Sequence, residues 1–173
     1  RVGSWAGAKP EHCRVKPLLV DKYDSRMEAV MSRFTGKFRR IRLIGKPGTI
    51  DVMATLAPHR DWAKGEPMAG PQHALAYLKR HRINADYLFY FHGAHQHAII
   101  RVNPNQRSID FDAIAKQIGA PTGAAHQDVI VFEPRLPQSF TPLTNQNLDA
   151  YIKVLSRFLK KATGCQRANI GTL

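Results

Sequence analysis

The chain has 173 residues, of which 43% are hydrophobic and 23% charged, and its 26 Lys and Arg outnumber 13 Asp and Glu to give a formal net charge of +13. This composition excludes a disordered chain and a fibrous repeat, and the length predicts a single compact core. No apolar run approaches the roughly 18 residues of a membrane span. The two cysteines, Cys13 and Cys165, belong to no Cys-x-x-Cys pair, which excludes a thiol-rich metal site.

The first third of the chain predicts an arm, a helix and a hairpin. Glycines and prolines make residues 1–16 an N-terminal arm or linker, and residues 17–173 are expected to form a single α+β domain. Apolar residues at helical spacing predict a helix over 23–34. Alternation over 38–44 and 50–56, joined by a Lys-Pro-Gly-Thr turn, predicts a β-hairpin. Its first strand carries arginines on both faces, which favours an exposed or ligand-facing strand over a buried central one.

The remaining elements alternate between strands and helices without strict β-α-β order. Apolar spacing, capping residues and turn residues predict a loop over 57–71, a helix over 72–81, strands over 86–91 and 95–102, a helix that Ser108 or Asp110 caps and that ends at residue 118, a strand over 128–132 and a helix over 144–162. Neighbouring hairpins favour an α+β fold, in which about four helices pack on an antiparallel β-sheet, over a doubly wound parallel sheet.

The positive charge is concentrated at the two ends of the chain. Residues 1–50 carry 12 basic and 4 acidic side chains, and residues 151–173 carry 5 basic and none acidic. Two basic segments around a neutral middle predict a surface that binds a polyanion, most simply nucleic acid, with DNA expected over RNA. An anionic membrane surface, an acidic protein and a merely solvated surface are the alternatives. The residues expected to contact phosphates are Lys37, Arg39, Arg40, Arg42, Lys46, Lys153, Arg157, Lys160 and Lys161.

An aromatic strand follows the basic hairpin in the sequence. Tyr87, Phe89, Tyr90 and Phe91 offer rings on which unpaired bases could stack. Because alternate side chains of a strand point to opposite faces, and one face must pack on helices, we expect at most two of the four to do so.

Three of the eight histidines, His92, His95 and His97, lie within six positions. Residues i and i+2 of a strand share a face, so His95 and His97 are predicted to point the same way and could ligate a divalent metal together. His92 is the nearest candidate for a third ligand. The alternative is an exposed strand edge on which histidines are half-polar fillers.

A His-x-His pair on a strand, followed by Ala98-Ile99-Ile100, a helix and Tyr151 on a later helix, resembles the layout of the HUH endonucleases, which include rolling-circle replication initiators and conjugative relaxases. The resemblance implies that His95 and His97 bind Mn²⁺ or Mg²⁺, which polarises a scissile phosphate. It also implies that the Tyr151 hydroxyl attacks that phosphate and forms a 5′-phosphotyrosine link to single-stranded DNA. Tyr151 also lies on the apolar stripe of its predicted helix, which favours a packed side chain as the alternative.

Three functions therefore follow from the sequence. The first is a nucleic-acid-binding domain that nicks and transfers single-stranded DNA with a divalent metal. The others are a non-catalytic basic nucleic-acid-binding module and a protein-interaction or assembly domain. We expect free thiols in a reducing compartment, hence a cytoplasmic or nucleoid-associated protein, and no transmembrane segment. Because Arg1 stands where an initiator Met is usual, we expect a longer parent polypeptide; the oligomeric state is left open.

Overall fold

A computed structural model describes residues 25–46, 48–92, 96–119 and 128–173 of the protein. Over these ranges the chain forms a six-stranded, mostly antiparallel sheet and four α-helices. The α+β fold predicted from the sequence is therefore confirmed. The predicted arm over residues 1–16 lies outside the described residues. No helix in the described part of the chain combines the length and the hydrophobicity that crossing a bilayer requires.

The helices and strands follow the predicted order, with one more strand at the end. They are α1 (Ser25–Ser32), β1 (Phe38–Gly45), β2 (Gly48–Leu56), α2 (Pro71–Arg80), β3 (Tyr87–His92), β4 (Gln96–Arg101), α3 (Phe111–Ile118), β5 (Val129–Phe132), α4 (Leu148–Thr163) and β6 (Arg167–Thr172). The β6 segment contains Asn and Gly, which are depleted in strands, so its sequence did not predict a strand.

Local signals fix several of these boundaries. The Asp110 side chain accepts a hydrogen bond from the Ala113 backbone N–H at 3.2 Å and caps α3, as its sequence position predicts. Gly36 and Gly164 follow α1 and α4 with positive φ angles of 72° and 70°, a conformation that favours glycine. Cys165, just after α4, is a buried free thiol, and Cys13 lies outside the described ranges.

The strands are ordered β5-β4-β3-β2-β1-β6 across the sheet. Neighbouring strands are antiparallel except β2 and β3, which run parallel and are connected through α2. β1 is thus an interior strand between β2 and β6. β4 lies between β3 and β5 and is therefore also an interior strand. The alternative interpretation, in which the histidines lie on an exposed strand edge, is thus wrong.

The two faces of the sheet are covered to different extents. α3 and α4 pack on one face, here called the covered face, in a cluster that includes Ile41, Val52, Phe89, Ile99, Ile114, Ile130, Leu155 and Leu159. α1 and α2 pack on the opposite face, where Val30, Phe34, Leu75 and Leu78 contact the middle strands. From β1 only Phe38 joins this second cluster, and no residue of β6 does.

The aromatic strand β3 lies where both faces are covered. Tyr87, Phe89, Tyr90 and Phe91 are each at most 2% exposed. None of the four rings is therefore available for stacking on bases: α2 covers one side of β3, and the cluster of α3 and α4 covers the other.

Candidate functional site

Two of the three residues that carry the HUH resemblance, His97 and Tyr151, meet in the fold. His97 on β4 points to the covered face, and its Nε2 atom forms a hydrogen bond of 2.9 Å with the hydroxyl of Tyr151 on α4. The register of β4 places His97 opposite Phe91 on one side and Phe132 on the other. Residues 54 positions apart in sequence thus form one polar contact inside an apolar cluster.

Aromatic rings enclose this contact. The His97 ring lies 4.6 Å from the Phe91 ring and 5.7 Å from the Phe132 ring, and the Tyr151 ring lies 5.4 Å from Phe140. His97 is 1% exposed and Tyr151 is 2% exposed. Solvent and a phosphodiester therefore do not reach either polar atom in this conformation.

Burial shifts both protonation equilibria toward the neutral forms. Burial lowers the pKa of His97 to about 4, partly offset by the backbone of Gln96. Burial also raises the pKa of the Tyr151 hydroxyl above its usual range. A nucleophilic tyrosine needs a nearby base or a lowered pKa. The pair is therefore neutral at physiological pH, and its environment opposes formation of a tyrosinate.

The three histidines do not form a metal site within the described residues. His95 lies outside those residues, His92 ends β3, and the Nε2 atom of His97 is committed to Tyr151. His92 pairs with Gln96 on the face opposite that of His97, so those two imidazoles point to different sides of the sheet. No group of three His, Cys, Asp or Glu residues in the described ranges could hold a metal ion.

A second candidate site lies on the part of the opposite face that α1 and α2 leave uncovered. Arg40 and Arg42 of β1 point to this side, and the β6 register places Asn169 opposite Arg42 and Arg167 opposite Ile44. Arg167 is thus a diagonal neighbour of Arg42, at a spacing of about 7–8 Å. We call the surface formed by Arg40, Arg42 and Arg167 the basic face.

The charges of the basic face are only partly neutralised. Arg42 donates a hydrogen bond from Nε to Asp51 at 2.8 Å, and its side chain is 44% exposed. Within the described residues, Arg40 and Arg167 form no ion pair. The ion pair between Arg42 and Asp51 is partly exposed and therefore weak. Because it uses only the Nε atom, the rest of the Arg42 guanidinium remains available to a second anion.

A cleft of about 570 Å³ adjoins the basic face at Asp51. Its lining includes Lys79 in the last turn of α2, Arg82 just after that helix, and two carboxylates, Asp51 and Asp86. Asp86 is occupied by the fold, because its side chain accepts hydrogen bonds from the Asp51 N–H at 2.8 Å and from Asn103 Nδ2 at 2.9 Å. The cleft lining therefore carries no net charge, and its two cations, Lys79 and Arg82, lie beyond the sheet.

Arg82 adopts a backbone conformation that is unusual for its residue type. Its φ angle is 54°, and it follows α2 at the position where helices commonly end in glycine. The Ile83 N–H donates to the Leu78 carbonyl at 2.9 Å and closes this helix end. The sequence predicted only that cations at the end of α2 interact favourably with the helix dipole. It did not predict that Arg82 adopts a backbone conformation that favours glycine.

The other residues predicted to contact phosphates are distributed differently. Lys37 and Lys46 are exposed at opposite ends of β1, whereas Arg39 points to the covered face and donates to Asp149 of α4 at 2.7 Å. The remaining four lie on α4, where Lys153, Arg157 and Lys161 are exposed and Lys160 is half-buried. Because α4 packs on the covered face, its four cations lie on the other side of the sheet from Arg40 and Arg42.

Comparison of the chain with protein-family models, with curated proteins and with solved structures finds no match.

Proposed function

We propose that the protein binds nucleic acid through the phosphate backbone, and that the basic face with the adjoining cleft is the binding surface. The observation that carries this proposal is the convergence of Arg40, Arg42 and Arg167 from β1 and β6 on a part of the sheet that no described helix covers. Lys79 and Arg82 add two cations in the adjoining cleft, which also holds Asp51 and Asp86. DNA is the expected ligand over RNA.

The chemistry of this surface fits phosphate rather than base recognition. Guanidinium groups form paired hydrogen bonds with phosphate oxygens and remain charged at all physiological pH values. Among the described residues, the β1–β6 pairing places no exposed aromatic side chain beside Arg40, Arg42, Arg167 and Asn169, so bases gain no stacking from these strands. The surface therefore predicts affinity that depends strongly on salt and weakly on sequence.

The test is the salt dependence of binding to a single-stranded oligonucleotide, measured by fluorescence anisotropy. We expect Arg42→Gln and Arg167→Gln each to lower the slope of log affinity against log salt by about 1. Arg82→Gly removes a cation and also relieves the positive φ angle, so we expect this variant to lose affinity without losing stability.

Lys116→Gln is the matched control, because Lys116 is an exposed cation on α3. It should leave the slope unchanged. Absence of binding by the unaltered protein at about 50 mM salt would refute the proposal, since non-specific phosphate contacts are strong under that condition.

Nicking and transfer of single-stranded DNA is the second candidate, favoured by the 2.9 Å contact between His97 and Tyr151. It requires α4 to move away and expose Tyr151. Incubation with Mn²⁺ and a single-stranded oligonucleotide, followed by a denaturing gel, tests it. A slower covalent adduct that is absent in Tyr151→Phe supports nicking, and its absence with retained binding supports a non-catalytic binding module.

A further inference from the structure

The loop between β2 and α2 presents an exposed tryptophan at its tip. Trp62 is 70% exposed, the highest value among the large apolar side chains of the described residues. The guanidinium of Arg60 lies 3.7 Å from the centre of the Trp62 ring, over one of its faces. A ring held in this way offers its remaining surface to solvent as a flat, polarisable platform.

Hydrogen bonds hold the backbone of this loop in one conformation. The Gly65 N–H donates to the Trp62 carbonyl at 3.1 Å, with Gly65 at a positive φ of 65°. The Asp61 side chain accepts from the N–H groups of Ala63 at 3.0 Å and Lys64 at 3.3 Å. These contacts close a tight turn around Trp62, so exposing the ring does not depend on a freely moving segment.

Further contacts anchor the turn to the helical layer. The Glu66 carboxylate accepts from the Asp61 N–H at 2.9 Å and from Arg33 at 3.2 Å, and Arg33 also donates to the Pro67 carbonyl at 2.9 Å. Arg60 donates to the Glu66 carbonyl at 2.6 Å, which fixes the guanidinium stem beside the ring. The tryptophan and its cation are thus positioned before any ligand arrives, which lowers the entropic cost of binding.

The turn around Trp62 carries two cations, Arg60 and Lys64, beside two carboxylates, Asp61 and Glu66. The Lys64 side chain is 76% exposed, and its ion pair with Asp61 is long, at 3.9 Å. The loop leaves the sheet after Leu56, at the end where β1 begins, because Thr55 is paired with Phe38. Lys37 and Arg40 therefore lie at the same end of the sheet as this loop.

We propose that Trp62 stacks on an unpaired base of a single-stranded nucleic acid, and this inference rests on the proposed function. Lys37 and Arg40, at the same end of the sheet, contact phosphates, and Trp62 supplies the base contact. Aromatic stacking accepts any base but requires one whose face is free, so it selects single strands over duplexes. Trp62 thereby defines the substrate class as single-stranded.

Trp62 fluorescence provides the test. The chain has two tryptophans, so Trp5→Phe leaves Trp62 as the only indole. The probes are an oligothymidylate of about 12 nucleotides, an abasic oligonucleotide of the same length and a duplex. We expect oligothymidylate to quench Trp62 emission, and the abasic strand to bind without quenching.

Affinity measurements with the same probes complete the test. Trp62→Ala should weaken oligothymidylate binding by about 5- to 150-fold and leave abasic and duplex binding unchanged, and Trp62→Phe should retain most of the affinity. Equal affinities of the Trp62→Ala and unaltered proteins for oligothymidylate, or binding without quenching, would overturn this inference and leave the phosphate-binding proposal standing. Failure of every probe to bind would overturn both.

Discussion

The polar residues on the two faces of the sheet differ in exposure, although each set resembles a functional site in the sequence. On the covered face, His97 and Tyr151 resemble a catalytic pair in sequence, yet α4 and three aromatic rings bury them. On the opposite face, the arginines of β1 lie on an interior strand, yet they remain accessible because no described helix extends over β1 beyond Phe38. Position within the sheet therefore does not decide exposure here; helix coverage does.

We infer from this difference that His97 on β4 contributes mainly to the core, whereas Arg40 and Arg42 on β1 contribute mainly to the surface. Substitutions of core residues should change stability strongly and binding only slightly, and substitutions of surface residues should do the reverse. Variants on each face can separate the two roles.

The largest expected effect is loss of stability when the Tyr151 side chain is removed. Tyr151→Ala leaves a cavity between α4 and the sheet, and we expect the free energy of unfolding to fall by about 3–5 kcal/mol. Urea denaturation followed by circular dichroism measures this change. An unchanged midpoint would show that α4 does not pack there and would weaken the contrast between the faces.

The next effect is a loss of stability in acid. The unfolded chain binds a proton at His97 near the ordinary histidine pKa of about 6.5, whereas burial lowers the folded pKa to about 4. The unfolded state therefore binds more protons in this window, so stability falls as the pH drops from about 6.5 to about 4, by about 3 kcal/mol in total.

His73 adds to the same trend, since burial and Arg33 lower its pKa as well. Denaturation midpoints measured across this pH range should lose much of their slope in His97→Gln. The exposed His59→Gln is the matched control and should keep the slope. An equal slope in all three proteins would contradict the burial of His97.

A smaller effect is expected from removing only the Tyr151 hydroxyl. Tyr151→Phe keeps the ring contacts but leaves the His97 ring nitrogen buried without its partner, at a cost of about 1–3 kcal/mol. Urea denaturation of this variant beside Tyr151→Ala separates the hydrogen bond from the packing. A gain in stability on this substitution would mean that the buried hydrogen bond is not formed.

The smallest stability changes are expected at the basic surfaces. Arg42→Gln removes a partly exposed ion pair and should change the unfolding free energy by less than about 1 kcal/mol. Combined with Arg167→Gln, it should lower the salt slope of binding by about 2.

Substitution of cations on α4 tests whether the basic face, rather than α4, binds the oligonucleotide. Lys153→Gln with Lys161→Gln removes the same amount of charge from the other side of the sheet, and we expect a smaller change in salt slope. A larger change than that of the Arg42 and Arg167 pair would move the binding surface to α4.

The sequence predicted the α+β class and most element boundaries, because turn residues and apolar spacing are local signals. Asp110 could be identified as a cap for the same reason. The burial of His97 could not be predicted, since it depends on α4 packing over β4 and on β5 pairing beside it, which are both long-range contacts. Arg42 and Arg167 could not be paired either, because β6 lacks a strand pattern and its place beside β1 is set by long-range packing.

The position of β6 has a consequence for folding. Arg42 and Arg167 become neighbours only when β6 pairs with β1 at the edge of the sheet. Such non-local pairing is slow, because a long segment of chain must close into a loop before the two strands meet. We expect the two hairpins to form before this edge. A ligand that bridges both strands would then stabilise the completed sheet, and amide hydrogens of β6 should exchange more slowly when oligonucleotide is bound.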